Sequence, residues 1–150
     1  GRIAEDFKLA TGTFVSVGPL RGKIIAAGAP YIQDVVLTGI NLKEVGAMVF
    51  PTPRVRELAG LADNTPLADV LAAPAVLAKF QQVLNDLSAN STGSANRIAR
   101  LCLLSEPPTI DKGEITDKGS INQRAVLHHR ADTVDALHSD RLHYILKPNV

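Results

Sequence analysis

One lysine in a short turn is the side chain best suited to chemistry in this sequence. Lys118 lies in the turn 116–120, Thr-Asp-Lys-Gly-Ser, and an amphipathic helical pattern follows it. The first turn of a helix leaves backbone N–H groups unpaired and carries positive potential. A mobile ammonium group beside such N–H groups suits the binding of a carboxylate or a phosphate. The alternative explanation is a solvated capping turn that binds nothing.

Other residue types that often carry chemistry are poorly placed for it. The sequence contains neither Gly-x-Gly-x-x-Gly nor Gly-x-x-x-x-Gly-Lys-Ser/Thr, so the usual phosphate-binding loops are missing. His128 and His129 are adjacent and would point about 100° apart on a helix, which favours a solvated face over a metal site. The run 138–140, His-Ser-Asp, has the residue types of a catalytic triad, but triads are assembled from separate elements. We therefore predict no metal site and no triad.

Composition restricts the class of protein. A chain of 150 residues, with 45% hydrophobic and 21% charged residues, suits one globular domain. The net charge of +1 and the interleaved charges argue against a nucleic-acid partner. No apolar run is long enough to span a membrane and no signal peptide is visible. The single cysteine, Cys102, lies in an apolar stretch, which favours a buried residue in a reducing compartment, so we expect a cytoplasmic protein.

Turn residues divide the chain into alternating elements and predict an α+β fold. We expect a short N-terminal β-hairpin, then a small mixed sheet of about three strands packed with helices. A last helix should begin near Ser120 and direct Leu127, Ala131 and Val134 toward the core. The other predicted elements are a hairpin over 7–17, a helix from 18–19 to 28–30, strands at 32–37 and 45–50, helices starting near 52, 65 and 75, and a strand within 97–105.

A second candidate site is the N-terminal stretch 1–16, for which a plain surface hairpin is the alternative. This stretch and the run 113–124 resemble signature segments of the adenylate-forming acyl- and aryl-CoA ligases. The N-terminal Gly-Arg, the Phe-Lys-Leu at 7–9 and the loop through Gly12 resemble the hinge and following loop that open the family's C-terminal domain. The Gly-Glu-Ile-Thr at 113–116 resembles its C-terminal lysine motif. Within the family, 12–21 and 113–124 look most like feruloyl-CoA synthetases.

The resemblance implies ATP with Mg²⁺, and CoA, as substrates. A carboxylate would attack ATP to give an acyl-adenylate, and CoA would then displace AMP after a hinge rotation. An ungapped alignment from Gly113 puts Ser120, not a lysine, at the family's lysine position. The implied adenylation lysine is therefore Lys118, two residues earlier, whose flexible side chain can still reach the site. Lys112 is the alternative.

The other roles that the resemblance implies lie near the N-terminus. The hinge would be Ala4 or Glu5, and a loop with Arg2, Lys8 and Gly12 would bind nucleotide or CoA.

The resemblance further implies that residues 1–150 are the C-terminal lid domain of a larger ligase. The sequence opens with Gly1 rather than methionine, which fits a piece of a longer protein. The expected partners are the enzyme's own N-terminal adenylation domain, absent from this chain, and an aryl or acyl carboxylate. This domain alone should bind no cofactor tightly and should be inactive. The alternatives are a CoA ligase for a fatty or another aromatic acid, and a non-catalytic interaction module.

Overall fold

The computed structural model describes residues 5–91, 93 and 96–149. Its elements follow the order predicted for an α+β domain. They are β1 (Phe7–Lys8), β2 (Phe14–Val15), α1 (Val17–Ala27), β3 (Ile32–Thr38), β4 (Val45–Pro51), α2 (Val55–Ala59), α3 (Leu67–Leu71), α4 (Pro74–Ala89), β5 (Ile98–Leu103), α5 (Gln123–His129) and α6 (Ala131–His138).

A three-stranded mixed sheet organises the domain. Strand β4 lies in the centre, antiparallel to β3 and parallel to β5. The outer side of β5 is covered in part by the C-terminal segment, because Leu101 and Leu146 exchange two backbone hydrogen bonds of 2.9 Å. Strands β1 and β2 form a separate antiparallel hairpin. The predicted fold class is therefore confirmed, including the hairpin and the mixed sheet.

Both faces of the sheet are covered, so β3 and β4 are almost continuously buried, and β4 is apolar along its whole length. Neighbouring residues of a strand point to opposite faces. Val35 and Val49 accordingly pack with Ile24 of α1 and Phe80 of α4. The other face packs against α5 and α6, through Val36, Met48, Cys102, Val126 and Leu137. The chain thus has two apolar layers that share one sheet.

Proline and glycine set the ends of the helices. Pro19 lies in the first turn of α1, and Pro74 begins α4, where a missing N–H costs nothing. Gly28 follows the last residue of α1, and a Cβ there would lie 2.2 Å from Cδ1 of Ile32. In α4 the buried residues recur at helical spacing: Val76, Phe80, Val83 and Leu84.

The C-terminal helix differs from the sequence expectation. A single helix from about Ser120 was predicted, but the chain forms α5 and α6 with a break at Arg130, whose backbone has φ −109° and ψ 34°. The start is later because the side chain of Asn122 accepts a hydrogen bond from the Ala125 N–H and caps α5. The break rotates Ala131 to the surface, so its predicted core position is wrong.

A buried polar cluster ties α6 to the sheet. Arg100 of β5 donates to the Leu137 carbonyl at 2.6 Å and pairs with Glu44 and Asp140. The hydroxyl of Thr38 is 2.6 Å from Nε2 of His138. Burial, with the positive charge of Arg100, lowers the pKa of His138 below its ordinary 6.5. The neutral ring therefore suits its place between helix and strand.

Gly46 is the position where this cluster admits no side chain. A Cβ there would lie 2.4 Å from the Thr38 hydroxyl oxygen and 3.1 Å from Nε2 of His138. We expect Gly46→Ala to lower the free energy of unfolding by about 1–3 kcal/mol through overpacking. Gly22→Ala is the matched control, because Gly22 lies in α1 and a Cβ there would meet nothing within 4 Å, and it should stabilise by up to about 1 kcal/mol. Urea unfolding of the two variants and of the unsubstituted chain measures both effects. If Gly46→Ala were as stable as Gly22→Ala, the steric explanation would be contradicted.

Candidate functional site

Lys118 lies at the tip of a small hairpin that spans residues 115–121. The hairpin is closed by a bridge between Ile115 and Ile121 and by the Thr116 N–H, which donates to the Ser120 carbonyl at 3.0 Å. The Ser120 N–H donates in turn to the Thr116 hydroxyl at 3.1 Å. Gly119 has φ +87°, a conformation that favours glycine beside the lysine. The tip is therefore a well-defined turn that presents Lys118 to solvent.

This position differs from the one expected from sequence. The turn does not lead straight into a helix, because Ile121 returns to pair with Ile115 before α5 begins at Gln123. Asn122 satisfies one N–H of that helix with its own side chain. Within the described chain, the Lys118 ammonium has no hydrogen bond or ion pair. The lysine is therefore available as a free cation, but on a hairpin tip rather than at a helix mouth.

The base of the hairpin rests on Glu114, whose side chain has no exposed surface. Its carboxylate accepts hydrogen bonds from Arg130 through Nε at 2.7 Å and through a terminal nitrogen at 3.0 Å. The Thr109 N–H donates to it at 3.1 Å, and Nδ1 of His129 lies 3.0 Å away. A buried charge needs such partners to be tolerated. Both carboxylate oxygens of Glu114 therefore have hydrogen-bond partners.

Arg130 connects this carboxylate to the rest of the fold. Besides Glu114, its guanidinium donates to the Glu106 carbonyl at 3.0 Å and to the Pro107 carbonyl at 3.1 Å. It also lies over the ring of Phe50, 5.0 Å from the ring centroid. Because Phe50 belongs to the central strand, Arg130 links the hairpin base to the sheet.

Sequence reasoning did not single out this pair. In the sequence, Glu114 stands out only as part of the Gly-Glu-Ile-Thr run, and the helical periodicity predicts Arg130 inside one continuous helix. The two residues are 16 positions apart, beyond the reach of helical or strand periodicity. The available signal was a lone glutamate flanked by apolar Ile115, a residue type rarely buried without a partner.

The N-terminal loop lies at a second place on the surface. Lys8 belongs to β1, and Gly12 occupies the turn to β2 with φ +86°. The hairpin is attached to the β3–β4 turn, because the Asn41 N–H donates to the Lys8 carbonyl at 3.0 Å and the Ala10 N–H donates to the Leu42 carbonyl at 2.7 Å. The loop is thus fixed to the sheet through its backbone.

Glu5 and Lys8 line an open groove of about 500 Å³. Its other wall is the start of α5, with Gln123, Arg124 and Leu127. The structure therefore brings the predicted loop residue Lys8 and the hinge candidate Glu5 beside the helix that follows the lysine hairpin. Lys118 is not among the described residues that line the groove. The predicted residues Arg2 and Ala4 lie outside the described part of the chain.

The titratable side chains form no metal site in the part of the chain that the structure describes. Among residues 5–91, 93 and 96–149, no cluster of three or more His, Cys, Asp or Glu side chains could hold a metal ion. None of the helices in those same ranges has both the length and the apolar character needed to cross a bilayer. Burial raises the pKa of the Cys102 thiol to about 12, so this thiol is a poor nucleophile.

Comparison with known proteins identifies the family. The family model described as "AMP-binding enzyme C-terminal domain" matches residues 6–141. The chain therefore belongs to the AMP-binding enzyme C-terminal domain family. A search of curated proteins finds no match.

Solved structures with the same fold include adenylation domains of carboxylic acid reductases. The A domain from Segniliparus rugosus, in complex with AMP and a co-purified carboxylic acid, has a TM-score of 0.64, 20% identity and covers 94% of this chain and 21% of that one. The A domain of the carboxylate reductase from Mycobacterium chelonae has a TM-score of 0.64 and 23% identity, and the match covers 93% of this chain and 20% of that one. The A-PCP didomain from Segniliparus rugosus, in complex with AMP, has a TM-score of 0.59, 20% identity and covers 91% and 17%. The chain spans about a fifth of these chains.

The hydrogen bonds of Glu114 predict a pH dependence of stability. The Arg130 guanidinium, helped by His129 and the Thr109 N–H, lowers the pKa of Glu114 from 4.5 to about 2 despite burial. A lowered carboxyl pKa means that the unfolded chain binds more protons, so this stability is present above pH 4.5 and is lost as the pH falls toward 2. The shift corresponds to about 3 kcal/mol.

Urea unfolding of the 150-residue chain between pH 7 and pH 3 measures this loss. Glu114→Gln should be less stable at pH 7 and should show a flatter pH dependence. Glu57→Gln is the matched control, because Glu57 pairs with Arg54 on the surface, where both side chains are more than half exposed, and it should follow the unsubstituted chain. An unchanged pH dependence in Glu114→Gln would rule out this role of the carboxylate.

Proposed function

We propose that this chain is the C-terminal lid domain of an AMP-forming acid–CoA ligase similar to feruloyl-CoA synthetases. The observation that carries the proposal is the Lys118 ammonium, which is exposed on a hairpin tip and has no partner in the described chain. Membership of the AMP-binding enzyme C-terminal domain family supports it. The similarity of residues 12–21 and 113–124 to feruloyl-CoA synthetases supports an aryl carboxylate as the substrate.

The first step of the proposed reaction needs a mobile cation. The substrate carboxylate forms a bond to the α-phosphorus of ATP, supplied with Mg²⁺, while the bond to the β-phosphate oxygen breaks and pyrophosphate leaves. Carboxylate and phosphate are both negative, so their approach is opposed by charge. Lys118 would lie between them and stabilise the negative charge that they share. Its flexible stem lets the ammonium follow the reacting atoms.

The second step would use the other surface of the domain. The sulfur of CoA bonds to the acyl carbon, the bond from that carbon to the AMP oxygen breaks so that AMP leaves, and the thiol proton passes to solvent water. Rotation about Ala4 or Glu5 would remove Lys118 and bring in the loop with Arg2, Lys8 and Gly12. A glycine in this loop lets the backbone come close to a thin ligand. The fixed attachment of Lys8 to the β3–β4 turn suits a loop that moves with the whole domain.

The proposal implies a partner for these surfaces. The enzyme's own N-terminal adenylation domain would supply most of the ATP and acid pockets, in a cytoplasmic protein. A CoA ligase for a fatty or another aromatic acid would use this domain in the same way, and a substrate panel on the full-length enzyme separates the two. A stand-alone interaction module would need no adenylation domain at all.

A second candidate is the adenylating part of a carboxylic acid reductase. Solved A domains of such enzymes share the fold over more than nine tenths of this chain. The first step would be the same, so Lys118 would keep its role. The acceptor would differ, and the full-length enzyme should then release aldehyde rather than acyl-CoA when given a reductant such as NADPH. Product analysis with CoA and with the reductant separates the candidates.

Lys118→Ala tests the role of the lysine in the full-length enzyme. Pyrophosphate exchange should fall by orders of magnitude, because the cation that stabilises the first transition state is removed. Thioester formation from preformed acyl-adenylate should change little. The two half-reactions are measured separately by isotope exchange and by single-turnover transfer.

Two further lysines make this test selective. Lys112→Ala distinguishes the alternative adenylation lysine, because Lys112 is exposed six residues away on the same segment. Lys43→Ala is the control, because Lys43 is exposed on the β3–β4 connection and has no proposed role. Loss of adenylation in Lys112→Ala with full activity in Lys118→Ala would reassign the role. Equal loss of both half-reactions in Lys118→Ala would remove it.

The 150-residue chain alone should be inactive. We expect no formation of AMP or acyl-CoA when it is incubated with ferulate, ATP, Mg²⁺ and CoA, because a lid supplies one cation but no acid pocket. Chromatography of the nucleotides measures this, with the full-length enzyme as the positive control. Turnover by the chain itself would refute the lid assignment.

A further inference from the structure

We propose that the buried pair of Glu114 and Arg130 positions the Lys118 hairpin for adenylation. The proposal rests on the function proposed for Lys118. It makes Glu114 and Arg130 positioning residues, which act through the backbone and touch neither substrate nor nucleotide. Without them the lysine would still be present, but its hairpin would lose a fixed orientation relative to the sheet.

Both ends of the hairpin are attached to Glu114. One end, Ile115, follows it directly in the chain. The other end returns to it, because the Asn122 N–H donates to the Glu114 carbonyl at 2.8 Å. The Glu114 N–H donates in turn to the Thr109 carbonyl at 3.0 Å. A tilt of this one residue would therefore move the whole turn that carries Lys118.

The side chain of Glu114 opposes such a tilt. Its two carboxylate oxygens are held by Arg130 on one side and by Thr109 and His129 on the others. Two N–H groups of one planar guanidinium bind the two oxygens, which fixes orientation as well as distance. The guanidinium is itself held by two carbonyls and by the ring of Phe50. Arg130 thus connects the base of the hairpin to the central strand β4.

The energetics favour a positioning role over a purely stabilising one. A buried ion pair often contributes little net stability compared with apolar residues of the same size. The hairpin itself buries only its two end residues, Ile115 in part and Ile121 in full, while residues 116–120 are exposed. Its direction therefore depends on its base. A displacement of about 1 Å at a reacting group can cost about 100-fold in rate.

Two sets of substitutions in the full-length enzyme test the proposal. Glu114→Gln removes the charge, and the double variant Glu114→Met with Arg130→Met removes both charges while keeping the site filled. We expect both to lower kcat for pyrophosphate exchange by about 10- to 100-fold. KM for ATP and the acid should change little, because the lost interaction acts in the transition state. Thioester formation from preformed acyl-adenylate should be retained.

Asp34→Asn is the matched control. Asp34 forms a partly buried ion pair with Arg21 of α1 at 2.7 Å, and within the described chain no hydrogen bond or ion pair joins it to Glu114 or Arg130. This variant should lose stability without the selective loss of kcat in adenylation. A folded double variant with full adenylation would overturn the positioning role, as would equal loss in the Asp34→Asn control.

Hydrogen exchange on the unsubstituted 150-residue chain tests the same proposal without relying on the fold of a variant. The Asn122 amide, which donates to Glu114, should exchange as slowly as amides of β4 such as Val49. The Gly119 amide at the tip should exchange faster. Rapid exchange at Asn122 would mean that the base opens freely, which overturns the proposal.

Failure of the positioning role can be told apart from failure of the proposed function. If Lys118→Ala loses adenylation but the two Glu114 variants are folded and retain it, only the positioning role fails. If Lys118→Ala retains adenylation, the lysine assignment fails and the positioning role fails with it.

Discussion

The interaction on which this part of the molecule depends is the buried ion pair of Glu114 and Arg130. A carboxylate without solvent contact is tolerated only because every side of it has a donor. The same pair fixes three segments of chain at once, namely the loop from Glu106 to Glu114, the lysine hairpin and the junction of α5 with α6. Under the positioning role proposed above, this one electrostatic constraint would set the direction of the hairpin that carries Lys118.

The sheet supplies the rigid frame to which this pair is attached. Strand β4 is buried on both faces, because alternate residues pack against the α1–α4 layer and the α5–α6 layer. Near the end of β4, the guanidinium of Arg130 lies over the ring of Phe50. Near its start, Gly46 has no side chain and so leaves room for the contact between Thr38 and His138. The α5–α6 layer is thus fixed at both ends of one strand. The layer and the sheet are therefore joined by specific contacts as well as by apolar packing.

Elements with strong local signals could be predicted from the sequence. Pro19, Gly28 and Pro74 mark helix ends through backbone geometry alone, and the composition of the runs at 32–37 and 45–50 favours strands. The break at Arg130 and the hairpin around Lys118 could not be predicted in this way. Residues 120–134 do have helical periodicity, but a pair 16 residues apart, Glu114 with Arg130, and the Ile115–Ile121 bridge override it. The roles inferred for Arg2 and Ala4 concern residues outside the described chain and stay predictions.

The position of Lys118 explains why a second domain would matter for its chemistry. On a solvated hairpin tip, a unit charge about 4 Å from a phosphate oxygen gains only about 1 kcal/mol, because water screens it. The same pair near a protein surface of lower effective dielectric gains about 4 kcal/mol. A lid that rotates its lysine into a partner's cleft therefore raises the value of that charge several-fold without changing any residue. The gain depends on how well the hairpin keeps its direction during rotation, since Coulomb attraction weakens with every ångström of displacement. A firmly anchored base and a mobile side chain at the tip meet both requirements together.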